Sequence, residues 1–258
     1  MPLLESPGLQ LHYQLDGPAD GPCLVLSHSL GCTLEMWEPQ VAAFSREYRV
    51  LRYDTRGHGR SGVPPRPYTL EQLGANVLGL LDALGIERAQ YCGLSMGGAT
   101  GMWLATHAPQ HIERLVLCNT TPWLGPPAAM NARIETLLRD GMPTMVEAIL
   151  ERWFTAEFRT RGPLAVDRVR QMLLSTPVDG YVGCCEALRD MDQRAALAQI
   201  AAPTLVIAGT YDPAPTPEAA RAWASTIPNA RFLELPAAHL SNIGAAELFN
   251  EAVLAFLG

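Results

Sequence analysis

The pentapeptide GLSMG at residues 93–97 constrains the fold of this chain more than any other feature. It fits the G-x-S-x-G pattern of a nucleophile elbow, a sharp turn that carries a serine between a strand and a helix. Residues 89–92 before it have strand character, and residues 99–105 after it have helix character. Glycines are needed there because the strand and the helix pass close together. The pattern predicts a strand–turn–helix unit that projects the hydroxyl of Ser95 clear of a sheet.

Strand-like and helix-like runs alternate along most of the chain. The strand-like runs are 9–15, 23–27, 49–53, 89–92, 114–118, 203–209 and 230–235. Alternation of this kind predicts an α/β fold with a mostly parallel sheet and helices on both faces. Residues 128–190 are instead helical in character, with prolines at their boundaries. We therefore expect a core formed by residues 1–121 and 191–258, with residues 122–190 inserted as a helical cap over the strand ends.

An acid and a histidine follow Ser95 in the order that this type of site uses. Asp212 comes directly after the buried run 203–209, and His239 follows the run 230–235. Taken singly, the first would be a turn former and the second a solvated loop histidine. Open parallel sheets, however, place their sites at the carboxyl ends of the strands. We therefore predict a catalytic triad in which Ser95 is the nucleophile, His239 the base and Asp212 the group that orients it.

Attack on an ester produces an oxyanion that needs two preorganised donors. The backbone N–H of Met96, at the start of the predicted helix, is the first candidate. The second is expected in the loop at residues 28–31, which resembles the H-G-x-G loop of many hydrolases, with Ser29 in the place of the usual glycine. By that match the donor is the amide of Leu30. We expect His28 to support this loop rather than to act as a second base.

Composition limits the partners of the protein. With 48% hydrophobic and 17% charged residues the chain is globular, and its net charge of −7 disfavours nucleic acids and anionic membranes. No apolar run reaches spanning length, and the six cysteines include no C-x-x-C pair. These features favour a reduced, cytoplasmic protein that acts on a small molecule. The sequence leaves the oligomeric state open, a homo-oligomer included.

No pattern for a metal or a cofactor is visible. The six histidines are scattered and lack the H-E-x-x-H spacing. No G-x-G-x-x-G follows a strand-like run, which argues against a nucleotide cofactor. We expect the reaction to need neither.

Several stretches together resemble one family. The whole chain is similar to the α/β-hydrolase fold, and within that fold it resembles the 3-oxoadipate enol-lactonases of aromatic-acid catabolism. The matching stretches are 51–61, 92–98, 114–120, 131–134, 184–185, 189–192, 208–212 and 237–242. The stretches at 131–134 and 184–192 are the more discriminating ones, because the elbow and the 51–61 segment would fit many hydrolases.

The resemblance implies a serine hydrolase that opens a small anionic enol-lactone through an acyl-enzyme. It implies a cation for the free carboxylate of the substrate, and Arg133 in the cap is the candidate for that role. Trp123 and Trp153 are candidates for the apolar walls of the pocket. The plainer alternatives are a surface arginine on a helix and two tryptophans that pack the cap on the core.

Other functions remain open at this point. A broad carboxylesterase or lactonase, or a C–C bond hydrolase, would use the same triad. A non-catalytic ligand receptor on the same fold is a different class, which intact Ser95, Asp212 and His239 disfavour. Serine at the elbow also disfavours the epoxide hydrolases and dehalogenases, whose nucleophile is a carboxylate.

Overall fold

A computed structural model describes residues 3–6 and 9–258 of the chain. Its centre is an eight-stranded sheet in the order β1-β2-β4-β3-β5-β6-β7-β8. The strands are β1 (Leu3–Ser6), β2 (Leu9–Asp16), β3 (Cys23–Ser27), β4 (Arg49–Tyr53), β5 (Ala89–Leu94), β6 (Ile112–Cys118), β7 (Thr204–Gly209) and β8 (Ala230–Leu235). β2 pairs antiparallel with β1 and β4, and all other pairs are parallel. The predicted α/β fold with a mostly parallel sheet is confirmed.

The register of the parallel strands brings their carboxyl ends to one edge. Ser27 at the end of β3 lies beside Gly93, and Leu94 at the end of β5 lies beside Cys118 at the end of β6. Gly209 at the end of β7 is paired with Leu235 at the end of β8. The loops that leave these strands therefore begin at the same edge, where parallel sheets build their sites.

The central strands β3, β5 and β7 are buried on both faces, as is usual for the strands of a parallel sheet. Alternate residues enter opposite cores: Leu24 and Leu26 face one cluster, and Val25 faces the other. Six helices pack on these faces: α1 (Glu38–Phe44), α2 (Leu70–Ala83), α3 (Met96–His107), α9 (Pro217–Ala224), α10 (Ser241–Gly244) and α11 (Ala246–Leu257). Apolar side chains of α1 and α11 lie in the first cluster, and those of α2 and α9 lie mainly in the second.

Five helices lie between β6 and β7, where the sequence lacks strand character. They are α4 (Ala128–Asp140), α5 (Pro143–Trp153), α6 (Ala156–Arg161), α7 (Pro163–Ser175) and α8 (Val178–Asp190). Proline occupies the first turn of α5 and α7, where its missing N–H costs nothing. The buried side chains of these helices belong to the first cluster, which also contains Leu24 and Leu26 of β3. The helical character predicted for residues 128–190 is thus confirmed, whereas the division of the chain into a core and a cap stays a prediction.

Local sequence signals set the starts of several helices. Thr69 and Gln72 form a reciprocal capping box at the start of α2, and Thr216 caps α9 through the amide of Ala219. Among the described residues no helix is long and apolar enough to cross a membrane.

Candidate active site

Ser95 lies on a sharp turn between β5 and α3. Its backbone has φ 56° and ψ −111°, a region that residues with a side chain seldom adopt. The amide of Ser95 donates to the carbonyl of Cys118 over 2.8 Å, which ties the turn to the neighbouring strand. Strained backbone of this kind persists only where its surroundings fix it, and it is common at functional sites. The turn predicted from the GLSMG pentapeptide is therefore present.

Three glycines allow the turn to form. A Cβ atom at Gly93 would lie 2.2 Å from the carbonyl oxygen of Gly97, and a Cβ atom at Gly97 would lie 2.1 Å from that of Ser27. At Gly98 it would meet the side chain of Thr120 at 2.6 Å. These distances are shorter than van der Waals contact, so any larger residue would push the helix away from the sheet.

His239 and Asp212 lie together just beyond the ends of β8 and β7. Nδ1 of His239 is 2.8 Å from Oδ2 of Asp212, and both side chains are buried. Because Nδ1 donates to this carboxylate, Nε2 is left as the ring atom that can accept a proton. His239 and Ser95 line the same pocket. The three predicted triad residues are thus brought to one site.

Asn119 is a further polar residue at this site, and the sequence did not single it out. Its side-chain amide donates to Oδ2 of Asp212 over 2.9 Å, and the hydroxyl of Ser241 donates to its Oδ1 over 2.6 Å. The amide of Ala214 donates to the other oxygen of Asp212. Burial raises the pKa of this carboxyl, but the charge of His239 and these hydrogen bonds outweigh it and hold the pKa below its usual value. Asp212 is therefore ionised and oriented.

Trp153, the last residue of α5, packs on the histidine. Its indole ring lies 5.8 Å from the imidazole of His239, with the planes inclined by 25°. The amide of Leu240 donates to the backbone carbonyl of Trp153 over 3.2 Å. The inserted helices are thus joined directly to the loop that carries His239.

The two residues predicted to form the oxyanion hole line the pocket beside Ser95. Met96 begins α3, so its N–H lacks a partner within the helix and lies at the positive end of the helix dipole. Leu30 belongs to the loop after β3, which contacts the elbow through a hydrogen bond from the amide of Gly97 to the carbonyl of His28. The donor role of both amides stays a prediction.

His28 supports this loop from inside. Its Nδ1 donates to the carbonyl of Ser29 over 2.8 Å, and its Nε2 accepts from the amide of Thr55 over 2.9 Å. Burial lowers the pKa of His28 to about 4, because its effect is larger than the opposite effects of the Ser29 carbonyl and Glu35. The ring is therefore neutral at physiological pH, and its two hydrogen bonds fix one tautomer.

His58 holds the same loop from the other end. Its Nε2 accepts from the amide of Gly31 over 2.9 Å, and its Nδ1 donates to the carbonyl of Arg56. Burial, and after it the neighbouring ring of His28, lower the pKa of His58 to about 3. The polar segment after β4 (residues 54–61) thus joins loops together, and it is absent from the described residues that line the pocket.

The pocket has a volume of about 440 Å³ and lies between the sheet edge and the inserted helices. Four methionines contribute to its apolar walls: Met96, Met130, Met145 and Met191. A more open groove of about 800 Å³ lies beside α6 and α11. Neither Ser95 nor His239 is among the described residues that line it. The smaller pocket is therefore the candidate active site.

Three arginines line this pocket from the inserted helices, and one of them, Arg189 on α8, is paired with Asp190. The other two are Arg133 and Arg152. Arg133 on α4 donates through Nη2 to the hydroxyl of Tyr181, and its guanidinium lies 5.3 Å from the centre of that ring. Arg152 on α5 was missed by the sequence analysis, because an arginine in the last turn of a helix usually lies in solvent. In the described part of the chain neither guanidinium pairs with a carboxylate, and the buried Nε of each lacks a hydrogen-bond partner. Burial, followed by the charge of Arg133, lowers the pKa of Arg152.

The two predicted tryptophan walls have different positions. Trp153 lines the pocket and is buried. Trp123 is absent from the described residues that line it, and its neighbour Leu124 is present instead. The guanidinium of Arg194 lies 4.0 Å from the centre of the Trp123 ring and covers it on the outer surface. The structure therefore does not support Trp123 as a wall of the pocket.

Comparisons with known proteins agree with this geometry. A model of the alpha/beta hydrolase fold family matches residues 22–246. The 3-oxoadipate enol-lactonase 2 of Acinetobacter baylyi is 39% identical over 254 residues, which cover 98% of this chain and 95% of that protein. The crystal structure of the enol-lactonase from Burkholderia xenovorans LB400 superposes with a TM-score of 0.97 at 46% identity and 99% coverage of both chains.

A hydrolase from Pseudomonas aeruginosa PA01 has a TM-score of 0.96 at 50% identity, covering 100% of this chain and 98% of that one. The resemblance seen in the sequence thus extends to the whole fold. The chain belongs to the alpha/beta hydrolase fold family and is, within it, a full-length relative of the 3-oxoadipate enol-lactonases.

Proposed function

We propose that this protein is a serine hydrolase that opens 3-oxoadipate enol-lactone to 3-oxoadipate through an acyl-enzyme. The observation that carries the proposal is the composition of one pocket. Ser95 and His239 share it with Arg133 and Arg152, two cations without a carboxylate partner among the described residues. A pocket that combines a nucleophile with half-buried, unpaired cations is suited to an ester that also bears an anion. The names of the relatives support the same substrate.

The first half of the reaction forms the acyl-enzyme. Oγ of Ser95 attacks the lactone carbonyl carbon while its proton passes to Nε2 of His239. The carbonyl electron pair moves onto oxygen, and the amides of Leu30 and Met96 stabilise the resulting oxyanion. When the intermediate collapses, the ring C–O bond breaks and the leaving enolate oxygen takes the proton from His239. The enol then tautomerises to a ketone, still tethered through the acyl group.

The second half releases the product. His239 removes a proton from water, which attacks the acyl carbon and forms a second oxyanion in the same place. Collapse returns the proton to Oγ of Ser95 and frees the new carboxylic acid, which ionises. One monoanionic lactone and one water thus give one dianion and one proton. The charged Asp212 stabilises the imidazolium of His239 in both halves.

The arginines supply the attraction for the free carboxylate. An anionic substrate gains nothing from a protein whose net charge is −7, so a local cation must bind it. One nitrogen of Arg133 already donates to Tyr181, whereas no described residue accepts a hydrogen bond from the outer nitrogens of Arg152. We therefore assign Arg152 the two-pronged contact and Arg133 a supporting one. In this proposal residues 122–190 act as the cap that supplies both cations.

The test compares two substrates that differ in one charge. The purified protein is assayed with 3-oxoadipate enol-lactone and with the methyl ester of its free carboxyl group. The proposal predicts a kcat/KM about 10- to 100-fold higher for the anion, the value of a charge-assisted pair. Equal turnover of the neutral ester and simple aryl esters would indicate a broad carboxylesterase. Turnover of neither class would indicate a receptor.

A further inference from the structure

Ser29 carries a hydroxyl that the fold leaves without a partner. The residue is wholly buried, and its Oγ forms no hydrogen bond to any described residue. It lines the pocket together with Leu30, Ser95 and Met96. Burying an unsatisfied hydroxyl costs about 1–3 kcal/mol, so such a group needs an explanation.

The other buried serines in the described chain differ from Ser29 in this respect. Oγ of Ser27 lies 2.7 Å from the hydroxyl of Tyr53, and Oγ of Ser61 donates to the carbonyl of Asp54 over 2.6 Å. Oγ of Ser241 donates to Asn119 over 2.6 Å. The fold therefore satisfies its structural serines, and the unpartnered one lies on the wall of the pocket.

Backbone hydrogen bonds hold Ser29 in this position. Its carbonyl accepts from Nδ1 of His28 over 2.8 Å and from the amide of Cys32 over 3.1 Å. Two residues further on, the amide of Gly31 donates to Nε2 of His58. The peptide groups around Ser29 are thus committed to the interior of the protein, and a change in backbone that gave the hydroxyl a partner would break these bonds.

We propose that the hydroxyl of Ser29 is a third donor to the oxyanion, beside the amides of Leu30 and Met96. This inference rests on the proposed serine-hydrolase function. The hydroxyl and the proposed Leu30 donor belong to adjacent residues, whereas the cations that suit the substrate carboxylate, Arg133 and Arg152, lie on the inserted helices. An acceptor at the Ser95 end of the substrate is therefore the partner that the position of Ser29 favours.

The hydrogen bond forms as the charge develops. When Oγ of Ser95 bonds to the carbonyl carbon, the π pair moves onto oxygen and the proton of Ser95 passes to His239. The Ser29 hydroxyl donates to that oxygen and keeps its own proton. A donor of this kind stabilises the transition state more than the bound substrate, so it raises kcat rather than lowering KM. Acylation and deacylation both form an oxyanion, so the effect appears whichever step limits turnover.

The test is the variant Ser29→Ala, with Ser61→Ala as the matched control. Ser29→Ala removes an unsatisfied group, and we expect it to lower kcat by about 10- to 100-fold while KM changes by less than about threefold. Its melting temperature should equal or exceed that of the wild type, because the buried hydroxyl opposes folding. Ser61→Ala removes a satisfied hydroxyl at a residue that is absent from the described lining of the pocket. It should lower the melting temperature and leave kcat unchanged.

Both substrates, the enol-lactone and p-nitrophenyl acetate, are assayed with each variant. If the wild type hydrolyses the acetate and not the lactone, the proposed substrate is wrong, and a kcat loss on the acetate still supports the role of Ser29. Three results overturn that role. The first is a kcat of Ser29→Ala equal to that of the wild type on every ester that the wild type hydrolyses. The second is a rise in KM confined to the anionic substrate. The third is a loss of kcat that parallels a fall in melting temperature. Ser29→Gly, which restores the residue usual in the H-G-x-G loop, should behave as Ser29→Ala does.

Discussion

The indole ring of Trp153 stacks on the imidazole of His239, with 5.8 Å between the ring centres. One residue lies at the end of an inserted helix, and the other lies on a loop of the sheet. The stacking limits the orientations open to the imidazole, and the hydrogen bond that its Nδ1 donates to Asp212 limits them further. The inserted helices thus help to position His239, the proposed general base, as well as to enclose the pocket.

Replacing Trp153 by leucine tests this positioning role. Leucine keeps an apolar side chain but removes the stacked ring, whose interaction is worth about 0.5–1.5 kcal/mol. We expect kcat to fall about two- to tenfold for anionic and neutral substrates alike, because His239 serves both. Trp153→Phe, which keeps an aromatic ring, should retain more activity. A variant with unchanged kcat and a higher KM would make Trp153 a wall of the pocket only.

Replacing Arg152 by alanine tests carboxylate binding. The variant should lose about 10- to 100-fold in kcat/KM for the anionic lactone and little for its methyl ester. Arg152→Lys should recover part of the loss, because an ammonium group cannot make the two-pronged contact. Arg133→Ala should show the same selectivity with a smaller loss. Equal losses on both substrates would instead make these arginines structural.

The two histidines that hold the loop at residues 28–31, His28 and His58, predict acid lability. Burial lowers the pKa of His28 to about 4 and, together with the ring of His28, that of His58 to about 3. In the unfolded chain both take up a proton near pH ~6.5, so the unfolded state binds more protons below that pH. The stability that these neutral rings contribute is complete above about pH 6.5 and declines as the pH falls toward 4.

Urea unfolding at about pH 7 and pH 5 measures this effect. Each histidine should contribute a loss of about 2 kcal/mol in unfolding free energy between the two values. His28→Asn should remove one such contribution, since asparagine can donate and accept without titrating. If His28→Asn loses as much stability on acidification as the wild type, protonation of His28 is not a cause of the acid lability.

Asn119 orients the triad acid, which Asn119→Ala should reveal. The substitution removes a donor to Asp212 and the acceptor of the Ser241 hydroxyl, and it places a Cβ residue without a polar side chain at φ 46°. Asparagine tolerates this conformation better than alanine does. We expect lower stability by about 1–3 kcal/mol and a lower kcat at unchanged KM. A change in KM alone would place Asn119 in substrate binding instead.

The sequence was sufficient to predict the fold and to place the candidate triad residues at one edge of the sheet, because both depend on local patterns. Apolar runs define the strands, and a parallel arrangement brings their carboxyl ends to one edge. Ser95, Asp212 and His239 each lie within four residues of a strand end, so no distant contact is needed to place them. Gly93 has an equally local cause, since a Cβ atom there would meet Gly97 of the following helix, whereas Gly97 and Gly98 are required by the distant residues Ser27 and Thr120.

The remaining site residues depend on contacts between distant segments. Arg152 lies in the pocket because the end of α5 contacts the loop that carries His239. No sequence pattern in α5 predicts that contact. Trp123 was expected in the pocket but is covered by Arg194, which is 71 positions later in the chain. Ser29 looked like a simple departure from a glycine motif. Its unpartnered hydroxyl is visible only once its surroundings are known.

Turnover of 3-oxoadipate enol-lactone by Ser95→Ala tests the central claim most directly, with circular dichroism and thermal melting to verify that the variant folds. The claim is that the strained serine between β5 and α3 is the nucleophile. We predict that kcat falls by about 10⁴ to 10⁶ while the fold and the melting temperature are retained. A folded Ser95→Ala protein whose kcat remains within about tenfold of the wild type would contradict the claim.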